Sequence, residues 1–159
     1  MGIVALFAWL STAGAGLYLL AIWLIEYDRD YQRAAATRLP VPVISGHAVL
    51  ALTGLLAWGA YLISDNDRLA WASVILLGCV AVLGFTMAIR WLGVYRSSPA
   101  RVRAGPGGLA TATMRALPAG EPPVPPERNF PVSVVVTHGL FAVTTLTLVV
   151  LTTLGIMGS

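Results

Sequence analysis

Two histidines, His47 and His138, are the residues of this sequence whose type and spacing are most suggestive of chemistry. Each lies seven residues after a proline, Pro40 or Pro131, and inside a long apolar run. Because proline is favoured in the first turn of a helix, both histidines are predicted about 10 Å inside an apolar helix, at about 1.5 Å per residue. Two neutral imidazoles at one depth are the arrangement that bis-histidine ligation of a haem iron needs. An ionisable side chain at that depth in a membrane is a candidate functional residue.

The residues that flank the histidines fit a haem. Gly46, Gly54 and Gly139 would let a planar macrocycle approach the backbone without meeting large side chains. A ligating histidine usually ties its second ring nitrogen to an acceptor. The candidate acceptors are the hydroxyls of Ser45, Thr53, Thr137 and Thr144.

Three arginines at the predicted membrane edge, Arg38, Arg90 and Arg128, would pair with haem propionates. Other roles for the histidines stay open: an interior histidine can hydrogen-bond a neighbouring helix at about 0.6–2 kcal/mol, contact a quinone head, relay protons or hold another metal. A zinc or two-metal site is disfavoured, because the sequence has no third histidine and the apolar runs contain no carboxylate.

The composition predicts a chain that lies mostly in lipid. The sequence is 57% hydrophobic and 11% charged, against about 45–50% and about 25% in soluble domains. A helix needs about 20 apolar residues to cross a bilayer, and the runs long enough are 3–25, 41–63, 69–91 and 132–157. We therefore expect an all-α membrane domain with four transmembrane helices.

The arginines predict the orientation of these helices. All ten basic residues are arginine, and only Arg68 lies on the side that carries both termini. The positive-inside rule places the loops in the cytoplasm and the termini outside. The absence of lysine, together with the many Ala, Val and Leu residues, suggests a GC-rich bacterial genome and hence a bacterial inner membrane. The loop at 96–130 is rich in Gly, Pro and Ala and is predicted to have little fixed structure unless a partner orders it. Asp65 and Asp67 predict a tight turn that joins the second and third helices as an antiparallel hairpin.

The chain also aligns with itself. Positions 40–53 align without a gap with positions 131–144, and the proline, histidine, alanine and threonine coincide. The helices before them match at a constant offset, with Gly16, Trp23, Leu24 and Tyr27 against Gly84, Trp91, Leu92 and Tyr95. We interpret the chain as two duplicated helical hairpins related by a pseudo-twofold axis along the membrane normal.

Several function classes have little support in the sequence. The apolar runs contain no Ser-His-Asp, Cys-His or paired-carboxylate arrangement, so hydrolytic catalysis is disfavoured. Cys79 is the single cysteine, which rules out a disulfide within one chain. The net charge of +3 comes from arginines that flank the spans, so it does not indicate a nucleic-acid partner.

With His47 and His138 on two helices of a four-helix bundle, the chain resembles the small four-helix membrane b-type cytochromes, among them the cytochrome b561-like proteins. The resemblance rests on these two residues and the bundle topology, and it covers about half of the chain. It implies a haem b and electron transfer between a quinone or a soluble donor and a partner. Larger members use two histidine pairs, whereas this chain has one, which suits a relay to a partner or a sensor.

A competing interpretation is a non-catalytic accessory subunit of a larger membrane assembly, such as a respiratory complex or a lipid-import machine. The small size, the lack of a soluble catalytic domain and the long arginine-bearing loop favour it. The expected partners are then the bilayer and other membrane subunits, or further copies of this chain. A small transporter is disfavoured, because no span contains the Gly/Pro break of a discontinuous helix.

Overall fold

The computed structural model describes residues 1–27, 39–96 and 125–156. These residues form four α-helices, each long and apolar enough to cross a membrane. A short 3₁₀ helix precedes the last of them. The elements are α1 (Gly2–Ile25), α2 (Val41–Ser64), α3 (Asp67–Arg96), the 3₁₀ helix (Pro126–Asn129) and α4 (Val132–Thr153). The sequence prediction of an all-helical domain with four such helices is confirmed.

Prolines precede the starts of α2 and α4, and a residue in the left-handed backbone conformation follows the end of α2, all near the predicted positions. Pro40 and Pro131 stand in extended conformation just before α2 and α4, where the missing N–H of proline costs nothing. α2 ends at Ser64 and is capped by Asp65, which has a φ of 51° and donates its N–H to the carbonyl of Tyr61 at 2.9 Å. Asn66 then accepts the N–H of Arg68 at 3.1 Å through its side chain. The predicted tight turn between the second and third helices is confirmed.

Two helix ends differ from the sequence prediction. α3 continues to Arg96, five residues past the expected end at 91, because apolar content tracks the hydrocarbon core and a helix can extend beyond it. α4 ends at Thr153 rather than at 157. Gly155 takes a φ of 70°, and the Ile156 N–H bonds the carbonyl of Leu151. A glycine-terminated turn of this kind stops a helix whatever the polarity of the residues that follow.

The 3₁₀ helix lies at the end of the segment 96–130 for which the sequence predicted little fixed structure. Pro126–Asn129 pack against α1 and α3. Glu127 is buried there, with 2% of its surface exposed. The part of the segment at 97–124 lies outside the described residues. This end of the segment is therefore ordered against the helices.

The helices pack as a bundle in which α2 lies along α3 and α1 lies along α4, with smaller contacts between α3 and α4 and between α1 and α2. Thus α2 and α4 occupy one diagonal. We call the end of the bundle that carries Ile25, Val41, Arg96 and Val132 the loop face, and the opposite end the terminal face.

The best-packed core lies in the half of the bundle next to the terminal face. Trp58 is fully buried, and its indole N–H donates to the carbonyl of Gly2 at 3.2 Å. The Ser73 hydroxyl shares its proton between the carbonyl of Leu69 on its own helix, at 2.9 Å, and the carbonyl of Gly54 on α2, at 3.2 Å. The core residues are Ala5, Trp9, Trp58, Ala70, Leu77 and Val149. Large apolar side chains such as Phe7, 65% exposed, cover the outside, as expected of helices in lipid.

We predict that Trp58→Ala lowers the free energy of unfolding by about 3 kcal/mol. This is the low end of the range for buried Trp→Ala changes, because helix association in a bilayer gains little from the hydrophobic effect and depends on packing contacts. The measurement is unfolding in mixed detergent micelles followed by circular dichroism. Trp71→Ala is the control, since Trp71 is 48% exposed. An equal loss in both variants would contradict the assignment of the core.

Candidate functional site

The two histidines meet in the interior of the bundle, because they lie on the diagonal helices α2 and α4 at the same depth. His47 and His138 are both partly buried. Their ring centroids are 6.3 Å apart, and the ring planes make an angle of 58°. The chain therefore brings its two imidazoles together although they are far apart in sequence.

Each imidazole is hydrogen-bonded to the backbone of the helix packed against it. Nδ1 of His47 lies 3.1 Å from the carbonyl oxygen of Val80 on α3. Nδ1 of His138 lies 3.0 Å from the carbonyl oxygen of Thr12 on α1. A carbonyl oxygen can only accept, so both Nδ1 atoms carry the proton. A neutral imidazole protonated at Nδ1 keeps the lone pair of Nε2 for a ligand.

The acceptors predicted from the sequence are wrong, because Nδ1 of each imidazole faces a main-chain carbonyl of a neighbouring helix. Ser45, Thr53 and Thr144 each donate to the carbonyl four residues earlier in the same helix, at 2.8, 2.9 and 3.0 Å. The imidazole Nδ1 atoms use main-chain oxygens of neighbouring helices instead of these hydroxyls or that of Thr137.

Two glycines that the sequence analysis did not assign to the site allow this arrangement. A Cβ on Gly16 would lie 2.9 Å from Cε1 of His138, and a Cβ on Gly84 would lie 3.1 Å from Cε1 of His47. Each glycine is four residues after the residue whose carbonyl accepts the same ring. A larger residue at either position would push the ring away. The recurrence of Gly16 and Gly84 at a constant offset was the sequence signal for them.

The three glycines predicted to pack against a macrocycle have different surroundings. Gly54 is covered, since a Cβ there would lie 3.1 Å from the ring of Trp9 and 3.4 Å from Leu76. Gly46 has Leu83 at 3.8 Å, and Gly139 has nothing within 4 Å. Gly139 is exposed on the surface of the described bundle. A haem edge beside Gly54 would therefore require Trp9 to move.

The predicted propionate contacts lie toward the loop face. Arg90 is on α3, six residues beyond Gly84, which is about 9 Å closer to that face at about 1.5 Å per residue. Arg128 is exposed on the 3₁₀ helix. Arg38 lies outside the described residues. Of the three arginines, Arg90 and Arg128 are thus on the side of the bundle that faces the loops.

The separation of the imidazoles suits one metal between them. With metal–nitrogen bonds of about 2.0–2.1 Å and a ring centre about 1.2 Å behind each nitrogen, two imidazoles that held one metal from opposite sides would have centroids about 6.5 Å apart. The observed 6.3 Å is close to that value. Within the described residues, no group of three or more His, Cys, Asp and Glu side chains is placed to hold a metal ion.

Comparison of the chain with protein-family models, with curated proteins and with solved structures finds no match.

We predict that both histidines exist as the Nδ1–H tautomer in the protein without added ligand, because each Nδ1 faces a carbonyl oxygen. Nuclear magnetic resonance of detergent-solubilised protein labelled at the histidine side-chain nitrogens would measure the tautomer of each ring. A dominant Nε2–H form for either ring would contradict the observed hydrogen bonds.

We predict that Gly16→Ala displaces the His138 ring and lowers the free energy of unfolding by about 1–3 kcal/mol, the usual cost of overpacking. Gly14→Ala on the same helix is the matched control, because a Cβ there meets nothing within 4 Å. It should leave stability unchanged or raise it by up to about 1 kcal/mol through helix propensity. Equal effects of the two substitutions, in unfolding and in the histidine resonances, would rule out a special fit at Gly16.

Proposed function

We propose that this chain binds one b-type haem between His47 and His138 and relays electrons to a partner. The observation that supports it is the pair of imidazoles, whose ring centroids are 6.3 Å apart and whose Nδ1 atoms are each hydrogen-bonded to a backbone carbonyl. Each ring then has Nε2 available as an iron ligand. When bound, the haem would supply one-electron redox chemistry through its iron.

The residues around the rings have separate tasks in this proposal. Val80 and Thr12 hold the imidazoles in one orientation, and a hydrogen bond from Nδ1–H also raises the basicity of the ligating nitrogen. Gly16 and Gly84 leave space beside the rings on the other two helices. Gly46 and Gly139 remain candidate packing positions, and Gly54 would serve only if Trp9 moves away from it.

A haem also suits the shortage of protein ligands in the described part of the bundle. Two imidazoles without a third side-chain donor make a poor site for a bare zinc ion, which takes three or four protein ligands. A haem would bring most of the ligands of its iron itself and would need only the imidazoles of His47 and His138 from the protein. Arg38, Arg90 and Arg128 would pair with its propionates, which places the propionates toward the loop face.

The proposal includes a duplicated origin and an orientation for the bundle. His47 with Val80 and Gly84 repeats the relation of His138 to Thr12 and Gly16, as a pseudo-twofold axis along the bundle would require. The arginine distribution supports loops in the cytoplasm and termini outside, in a bacterial inner membrane. The haem would then lie in the cytoplasmic half of the bilayer.

The second candidate function is a non-catalytic accessory subunit with structural histidines. The same hydrogen bonds favour it, because His47 joins α2 to α3 and His138 joins α4 to α1 without any cofactor. The apolar exterior would then bind neighbouring subunits of a respiratory or lipid-transport assembly, or other copies of this chain. What it leaves unexplained is why the two rings lie only 6.3 Å apart in the interior of the bundle.

The test is the absorption spectrum of protein purified in detergent from cells supplied with a haem precursor. We expect a narrow α band after reduction with dithionite, and we expect His47→Ala and His138→Ala to lose it while keeping their helical circular dichroism. Thr144→Val is the control, because the Thr144 hydroxyl is exposed and bonds its own helix. A folded but colourless wild-type protein would contradict haem binding and favour the accessory subunit.

A further inference from the structure

Two threonines join α1 to α4 on the side of the histidines that is nearer the terminal face. Oγ1 of Thr12 and Oγ1 of Thr145 are 3.0 Å apart. Oγ1 of Thr12 also lies 2.9 Å from the carbonyl oxygen of Ala8, to which it must donate. A hydroxyl has one proton, so Thr145 donates to Thr12. Thr145 is 1% exposed, so its hydroxyl has no access to solvent or lipid.

The same Thr12 holds His138. Its carbonyl oxygen accepts Nδ1–H of the ring at 3.0 Å, while its side chain accepts from Thr145. Thr145 lies seven residues after His138, two turns along one face of α4. His138 and Thr145 of α4 therefore both bind Thr12 of α1. The bond from Thr145 fixes the register of α1 at the position where the bond from His138 forms.

Among the described residues, the other imidazole has no such support. Val80 occupies the position that corresponds to Thr12, and Gly54 occupies the position that corresponds to Thr145. Neither has a hydroxyl, and the space at Gly54 is taken by the ring of Trp9. At this level Oγ of Ser73 on α3 lies 3.2 Å from the carbonyl oxygen of Gly54 on α2 and 2.9 Å from that of Leu69 on its own helix, so the two acceptors share one proton. Neither of these hydrogen bonds involves Val80, whose carbonyl accepts from His47.

We propose that Thr145 is a positioning residue for His138 and acts through Thr12. The acceptor of His138 is then supported by a second hydrogen bond, whereas the acceptor of His47 is not. Loss of the Thr145 donor removes one of the two hydrogen bonds between Thr12 and α4 and so loosens α1 against α4. The carbonyl of Thr12 then no longer stays opposite Nδ1 of His138. His47 is unaffected, because its acceptor lies on α3.

The experiment compares Thr145→Val, which keeps the shape and removes the donor, with Thr145→Ser, which keeps the donor. Thr144→Val is the matched control on the next position of α4. Histidine resonances of the protein without added haem are recorded for each variant, and His47 serves as the internal reference. We expect Thr145→Val to at least double the minor tautomer of His138 and leave His47 unchanged, while Thr145→Ser and Thr144→Val match the wild type. Unchanged His138 signals, or equal changes at both histidines, would overturn the proposal.

The consequence for haem binding rests on the proposed function. If the chain binds haem, Thr145→Val should weaken haem affinity about tenfold, which is the low end of the effect of removing a residue that orients a metal ligand. Thr145→Ser should keep the affinity of the wild type. Unchanged affinity in Thr145→Val would overturn the role of Thr145 at a haem site. A wild-type protein that takes up no haem contradicts the proposed function instead, and the resonances measured without haem still decide whether Thr145 positions His138.

Discussion

A polar hydrogen inside hydrocarbon has to find its acceptor within the protein, and both imidazoles find theirs on the backbone of a neighbouring helix. A main-chain carbonyl that already accepts from its own helix keeps a second lone pair, which makes it the nearest acceptor for a ring that points between helices. This requirement sets the close approach of α2 to α3 at Val80 and of α4 to α1 at Thr12. The same close approach favours glycine at positions 16 and 84, because the imidazole rings occupy the space that a Cβ would need.

The bundle divides along its axis into two parts that are stabilised differently. The half next to the terminal face is a packed core around Trp9 and Trp58, in which the indole of Trp58 is also hydrogen-bonded to Gly2. The half next to the loop face contains the histidines and, at its end, the buried Glu127 of the 3₁₀ helix. The first half can hold the helices together, which leaves the second half free to carry polar groups that contribute little to packing.

The two candidate functions share the same contacts, and this has a physical reason. A hydrogen bond at Nδ1 gives a structural histidine the acceptor that its N–H needs in lipid. The same bond keeps Nε2 of a ligating histidine unprotonated and fixes the orientation of its ring. The contacts at Nδ1 therefore do not separate the two roles. The separation of the two rings, 6.3 Å between centroids, is the observation on which the haem proposal rests.

Much of the fold followed from the sequence alone. The number of membrane-spanning helices, the start of α2 after Pro40 and of α4 after Pro131, and the turn at Asp65 are local properties, set by apolar length, by the missing N–H of proline and by short polar residues. The choice of His47 and His138 as the site was also local, since an ionisable residue in an apolar run is conspicuous. The end of α4 at Thr153 was missed because apolar content does not register a reversal at Gly155.

What only the tertiary structure decided is which groups meet. Hydroxyls close to the histidines in sequence were plausible acceptors, yet the acceptors are carbonyls of Val80 and Thr12, on helices that the chain brings alongside. A main-chain oxygen is present at every residue and so gives no signal in a sequence. Gly16 and Gly84 were visible as a recurrence but could not be assigned to the rings, and Thr145 had no signal at all. Contacts between helices depend on their rotation and register, which are set by the packing of the whole bundle and not by any one segment.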